Sequence, residues 1–308
     1  MDISPPDLRA AQQLYQDANY GKALGLLRTI VVENPDSPEA NLLFAQCLNQ
    51  IGRHEEALSL LENQENVLED LKEATELRNY LKGALAPPKP DEQIPLGSYQ
   101  TSIPKKFLGV LQRRLHNFYY KGVALQKNPF DLAIYSRLIP ELRPRTIVEI
   151  GSKAGGSALW FADQCRIFEL NTNIISVDLI PVTSVKDPRI RFIQGDAEHL
   201  AETLQIDWSK DLVSPLLVID DASHYTKTSM AIASFFHPFL KTGDYLVIED
   251  GIISDLYPEV CPDYSSGPHQ TIRYLLETFP EKYSIDRALC DMFGYNVTWC
   301  TNGFLKVV

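Results

Sequence analysis

Two short stretches of this 308-residue chain place acids where chemistry could happen. In VIDDASHY, Val218 to Tyr225, an apolar run ends on Asp220 and Asp221, and His224 follows three residues after the second. In YLVIEDG, Tyr245 to Gly251, a similar run ends on Glu249 and Asp250. Carboxylates brought within a few ångströms of one another raise each other's pKa unless a cation intervenes. A hard divalent ion such as Mg²⁺ relieves that repulsion, takes oxygen ligands and keeps positions open for substrate oxygens. Neighbouring residues on a strand point to opposite faces, so one aspartate of the first pair is expected on the metal. Asp221 is favoured because it lies three residues from His224; Asp220 is the alternative. His224 would then stand at the mouth of the site as the base for a substrate hydroxyl acidified by the ion. The competing reading of His224 is structural, holding the shape of the turn. His269, at the start of a later helical stretch, reads as substrate-facing or structural.

A glycine-rich turn lies upstream. VEIGSKAGGSALWF runs from a strand into a helix, with Glu149, Gly151, Ser152, Gly155, Gly156 and Ser157 around the turn. Glycines allow positive φ and close approach of a ligand, and the following helix offers free N–H groups. The spacing is G-x-x-x-G-G rather than the G-x-G-x-x-G of dinucleotide folds, which disfavours NAD. An acid two residues before the first glycine suits an ammonium group, such as the methionine end of S-adenosylmethionine, better than a pyrophosphate. Asp178, in IISVDLI, is placed to accept from ribose hydroxyls, and Asp196, in QGDAEH, could face an adenine amine. Any one strand-end acid is more simply a solvated one. Three on successive strands argue for a cofactor.

The elements that must position these residues can be read from hydrophobic period. RTIVEIG, IISVDLI, IRFIQGD, PLLVIDD and DYLVIED are short Ile- and Val-rich runs separated in several places by helical patterns. Such alternation predicts a doubly wound, Rossmann-like α/β sheet, with ligands beyond the carboxyl ends of its strands. YSIDRALC and GFLKVV are two further strand candidates, close enough to pair antiparallel at one edge. Residues 1–85 read differently. Ala11, Leu14, Ala23, Leu26 and Leu27 recur 34 residues later as Ala45, Leu48, Ala57, Leu60 and Leu61, the period of tetratricopeptide repeats. Ser37 and Pro38 make an N-cap and first-turn proline, and Val67 to Leu85 reads as a third helix. A plain helical packing module is the other reading of this region; either form would serve a protein partner or a homo-oligomer. Residues 86–104 hold five prolines and read as a linker, so 105–308 is the expected catalytic domain.

Bulk composition narrows the classes. Apolar residues at 44% and charged residues at 22% are an ordinary globular balance. A net charge of −11 opposes a nucleic-acid or anionic-membrane surface. The five cysteines are scattered, without a C-x-x-C, and no apolar run is long enough to span a bilayer. A reduced, cytoplasmic protein is expected.

Taken in order, the motifs of residues 105–308 resemble the cephalosporin hydroxylase family, which includes class I S-adenosylmethionine-dependent O-methyltransferases, rhamnosyl O-methyltransferases among them. YKGVALQKNPFDLAIYSRLIPELRP is similar to the family's lead-in, with Gly122, Gln126, Pro129 and Asp131 in its pattern. IVEIGSKAGGSAL is similar to its cofactor turn, with GS where GT is usual; VIDDASH, VIEDG and NGFLKV follow in the family's order. The resemblance implies Mg²⁺ held by the acid after the fourth strand together with Glu249 and Asp250. It also implies cofactor contacts from Glu149, Gly151, Ser157, Asp178 and Asp196. DDASH is closer to the DDGSH of macrolide-sugar O-methyltransferases, which supports His224 as base and leaves Asp220 and Asp221 in competition. The expected activity is therefore Mg²⁺-assisted methylation of a hydroxyl on a sugar or secondary metabolite, with Leu256 to Pro268 as a substrate lid. The alternatives are an inactive methyltransferase-like adaptor that binds partners through its helices, and a nucleotide-cofactor oxidoreductase.

Overall fold

The computed structural model describes residues 5–85, 97–115, 117–203, 208–259 and 264–308. The chain divides into two compact units, Met1–Ala86 and Pro87–Val308.

The first unit is all helical: α1 (Pro5–Gln16), α2 (Tyr20–Glu33), α3 (Pro38–Gln50), α4 (His54–Asn63), α5 (Glu65–Leu68) and α6 (Lys72–Leu85). The repeat positions explain its packing. Ala11, Ala23, Ala45 and Ala57 are fully buried, and small side chains there let consecutive helices approach closely. Leu27 and Leu61 are buried as well, whereas Leu26, a repeat position, is 40% exposed and outside the core. Ser37 caps α3, accepting from the Ala40 amide at 3.4 Å, with Pro38 in the first turn. The expected single helix from Val67 to Leu85 is instead the short α5 followed by α6.

The second unit adds α7 (Lys105–Leu115), β1 (Tyr119–Tyr120), β2 (Val123–Ala124), α8 (Pro129–Leu142), β3 (Thr146–Ile150), α9 (Gly156–Ile167), β4 (Asn173–Asp178) and β5 (Ile190–Gln194). After these come α10 (Leu200–Thr203), α11 (Trp208–Asp211), β6 (Leu216–Asp220), α12 (Thr226–Phe236), β7 (Tyr245–Ile248), α13 (Ile253–Leu256), α14 (Pro268–Thr278), β8 (Tyr283–Ile285), α15 (Arg287–Cys290) and β9 (Phe304–Val307). Seven strands form one sheet in the order β5-β4-β3-β6-β7-β9-β8. The first five are parallel; β9 pairs antiparallel with β7 and β8. This is the doubly wound sheet expected, except that YSIDRALC is a strand only to Ile285 and then turns into α15.

Alternation along the strands divides the core. Ile147, Ile219, Val247 and Phe304 pack toward α8 and α9 with Tyr135 and Phe161. Val148, Val218, Leu246 and Leu305 pack on the opposite face with Phe236 and Ile272. Buried Asp244 ties the starts of β6 and β7 together, its carboxylate accepting from the Leu216 amide and the Lys241 amide, both at 2.8 Å. The two strands therefore run in step, with Asp220 opposite Ile248, so the acids after them emerge side by side.

Of the expected linker, residues 86–96 lie outside the described residues. The remainder is held against the C-terminal segment: Ser98 O accepts from the Tyr295 hydroxyl at 2.8 Å and Thr101 Oγ1 donates to Asn296 O at 2.7 Å. Proline content predicts a lack of helix there but is silent on these side-chain donors. Part of the expected lid, residues 260–263, also lies outside the described residues, as does Cys261. Among the described residues no helix is long and apolar enough to cross a membrane. The cysteines Cys47, Cys165, Cys290 and Cys300 are free and buried.

Phe304 couples this core to the site, because its ring meets that of Tyr135 at 5.6 Å and Tyr135 in turn bonds Glu249. Phe304→Ala is expected to cost ~3–5 kcal/mol of unfolding free energy, measured by urea denaturation; a loss below about 1 kcal/mol would contradict this packing.

Candidate functional site

A cavity of about 590 Å³ opens beyond the carboxyl ends of the central strands. Gly151, Ser152, Gly156 and Ser157 from the turn after β3 line it. Asp178 and Leu179 follow from the end of β4, and Gly195 to Glu198 from the segment after β5. Asp221 to Tyr225, Thr228 and Asp250 complete the lining, with Ala124, Gln126 and Lys127 from the segment leading into α8.

The turn is built for close approach. Gly151 has φ of 111°, and a Cβ there would overlap the Asp221 carbonyl. A Cβ on Gly156 would overlap the Ala124 carbonyl. Gly155, at φ 82°, is the N-cap of α9 and offers no side chain to its first amides, which leaves that helix terminus open to a ligand. Asp178 fixes the turn, its Oδ2 accepting from the Lys153 amide at 2.7 Å and its Oδ1 from the Ile180 amide at 3.0 Å. Asp196 is likewise engaged, with the Glu198 amide at 2.9 Å and His199 Nδ1 at 3.0 Å. Those donors, the amide first, lower its pKa.

The expected acids separate into two depths. Asp221 and Asp250 reach the cavity wall, and with His224 they bring one ligand atom each to within 4.8 Å of one another. His224 Nε2 lies 3.0 Å from Asp250 Oδ2. Burial pushes the His224 pKa down, but Asp250, Asp221, Asp220 and Glu249 outweigh it, and the net shift is upward. Asp220, Glu249, Glu149 and Gly155 are not on the wall. Asp220 is buried, with Oδ1 accepting from the Ala222 amide at 3.4 Å. Glu249 lies behind the wall, with Oε1 accepting from the Tyr135 hydroxyl at 2.6 Å. Glu149 is fully buried beneath the turn; Oε2 accepts from Ser176 at 2.7 Å, and Oε1 has no partner among the described residues. Ser176 also meets Ser152 at 2.6 Å, so the chain of hydroxyls leads from Glu149 to the wall. Burial raises the Glu149 pKa to about 7, against the pull of Lys127 and of nearby Ser157. His269, also buried, is structural here: its ring nitrogens meet Thr301 Oγ1 at 2.7 Å and Ser254 Oγ at 3.3 Å.

Sequence reading missed Lys127. Its side chain is 1% exposed, and Nζ donates to Asp221 Oδ2 at 2.7 Å and to both oxygens of Glu249 at 2.7 and 2.8 Å. KNPFD gives no local sign of burial. The available signal was the excess of strand-end acids, which calls for a cation from elsewhere in the chain.

The donor set fits a divalent cation. Among the described residues, six buried or half-buried carboxyl groups, those of Asp131, Glu149, Asp220, Asp221, Glu249 and Asp250, are offset by fewer cationic side chains: Lys127, His224 and, toward Asp250, Lys153. Burial raises the pKa of Asp221, Glu249 and Asp250, and their mutual repulsion adds to it. Asp221 and Asp250 would be the carboxylates presented to an ion entering from the cavity. The cavity also suits a cofactor with ribose and amine donors, since Asp178 and Asp196 stand on its wall after β4 and β5.

Known proteins match this chain in both units. Residues 112–308 match the family model Rhamnosyl O-methyltransferase/CmcI, and residues 6–64 match that of anaphase-promoting complex, cyclosome, subunit 3. A rhamnosyl O-methyltransferase of Mycobacterium leprae (strain TN) is 32% identical over 190 residues, covering 60% of this chain and 81% of that protein. One from Mycobacterium tuberculosis (strain ATCC 25618 / H37Rv) is 29% identical over 191 residues, covering 60% and 76%. A solved CmcI structure with Mg and SAM is 27% identical, covers 72% of this chain and 89% of its own, and superposes with a TM-score of 0.48.

The buried Glu149 gives a pH test. Its pKa is raised on folding, so the unfolded chain loses this proton first and the wild type loses stability as pH rises from 4.5 to about 7. Glu149→Gln lacks that loss. Its unfolding free energy, measured without cofactor, is expected to gain on the wild type across this window; a difference constant with pH would contradict the assignment.

Proposed function

Because the chain belongs to the Rhamnosyl O-methyltransferase/CmcI family, we propose that it transfers a methyl group from S-adenosylmethionine to a hydroxyl of a sugar or secondary metabolite, assisted by Mg²⁺. The observation that carries this reading is the cavity. The glycine turn, Asp178, Asp196 and the cluster of Asp221, Asp250 and His224 all line it.

When bound, S-adenosylmethionine supplies an electrophilic methyl group and the divalent cation acidifies the acceptor hydroxyl. The residues of the chain do the positioning. The glycine turn would receive the methionine end, and Asp178 would accept from the ribose hydroxyls. Ser157 and the open terminus of α9 stand beside them. Asp221 and Asp250 would hold the cation. With its Nε2 proton directed at Asp250, His224 keeps Nδ1 as the nitrogen that takes the acceptor's proton. The carboxylates around it stabilise the imidazolium that results, in line with its raised pKa. Holding donor and acceptor in one cavity would favour in-line displacement.

Calorimetric titration of S-adenosylmethionine should show one site per chain. His224→Ala should retain that affinity while kcat falls ~10²–10⁴-fold toward hydroxylated sugars. No cofactor binding, with Mg²⁺ or with EDTA, would overturn the proposal and favour an adaptor role. Cofactor binding with undiminished kcat in His224→Ala would remove His224 as base.

A further inference from the structure

Lys127 holds a position that the methyl-transfer reading does not use. It follows the β1–β2 hairpin and directly precedes Asn128, whose side chain accepts from the Phe130 amide at 2.8 Å and the Asp131 amide at 3.1 Å and so caps α8. Asp131, one turn on, is buried and bonds Asn128, the Thr298 hydroxyl and the Trp299 amide. The backbone that carries Lys127 is thus anchored at both ends of that turn, and its ammonium is delivered between β6 and β7. There it spans Asp221, on the cavity wall, and Glu249, behind it. Glu249 is held from its other side by Tyr135.

We propose that Lys127 is a placeholder cation for the metal site: it neutralises Asp221 and Glu249 when no divalent ion is bound, and it releases Asp221 when one arrives. The proposal rests on the metal reading given above and adds a residue to it. Two features of the geometry require the exchange. Asp221 supplies a ligand atom to the cluster with His224 and Asp250 and also accepts from Lys127, so an ion there would stand close to an ammonium group. A +2 ion and a +1 group at such a distance repel by several kcal/mol even at an effective dielectric constant of about 20. The lysine keeps a partner after the exchange, since both oxygens of Glu249 already accept from it and its stem is flexible. Ion entry is therefore the replacement of one cation by another. The site holds together without metal, and its affinity for the ion is lower than that of the same carboxylates without the lysine.

The test uses the full chain freed of metal, with Mn²⁺ as the probe and unbound Mn²⁺ followed by electron paramagnetic resonance. Lys127→Met should bind Mn²⁺ roughly tenfold or more tightly than the wild type. It should also melt at a lower temperature without metal and gain more on adding Mg²⁺. Unchanged or weaker Mn²⁺ binding in Lys127→Met overturns the proposal while leaving the metal reading intact. No Mn²⁺ binding by either protein overturns both. If Lys127→Met does not fold, wild-type crystals soaked in Mn²⁺ supply the answer. Lys127 Nζ should then lie beyond hydrogen-bonding reach of Asp221, more than about 3.5 Å, and a retained contact with the ion bound overturns the exchange.

Discussion

Buried negative charge is the constraint on which the rest of this structure depends. Taking a carboxylate out of water costs several kcal/mol unless a cation accompanies it. The ends of β6 and β7 nonetheless bring buried Asp220 and Glu249 together with half-buried Asp221 and Asp250. One lysine, drawn from the segment before α8, supplies much of the compensation through three hydrogen bonds. One histidine supplies more. The features that look incidental in the fold serve that arrangement: the Asn128 cap that fixes Lys127, the Asp244 clamp that keeps β6 and β7 in step, and the Tyr135 hydroxyl behind Glu249. The excess of acid that remains is what makes a divalent ion a chemically sensible occupant.

Backbone conformation points to the same place. His224 and Asp250 both adopt left-handed φ, 59° and 57°, a region that costs residues other than glycine about 1 kcal/mol or more and that tends to persist at functional sites. Each lies in the segment that follows its strand, and the two side chains meet at 3.0 Å on the cavity wall.

Much of this was legible in the sequence, for identifiable reasons. Strand-end acids on Ile- and Val-rich runs give away both the parallel sheet and the side of it that binds ligands, because a buried parallel strand reads as a near-continuous apolar run with most of its polar residues at its ends. Gly151 and Gly156 stood out in the sequence as glycines for approach of a ligand, whereas the contacts that require them here are the backbone carbonyls of Asp221 and Ala124, which leave no space for a Cβ. The 34-residue period located the core of the N-terminal helices, although it misplaced Leu26, since a repeat marks equivalent positions and not their burial. What could not be read was depth. The sequence favoured Asp221 over Asp220 only through its spacing to His224 and did not separate Glu249 from Asp250, whereas packing puts one of each pair, Asp221 and Asp250, on the cavity wall. Lys127 was invisible for a related reason: its partners lie 94 and 122 residues away, and nothing local distinguishes it from a solvated lysine.

The central claim is that this carboxylate cluster is a divalent-cation site sharing one cavity with the methyl donor. Its most direct test is the anomalous scattering of Mn²⁺ in crystals grown with S-adenosylhomocysteine. The account predicts a single strong peak per chain against the carboxylates of Asp221 and Asp250, with the sulfur compound seated on the Gly151–Gly156 turn of the same cavity. A peak elsewhere, or none with that compound in place, would contradict it.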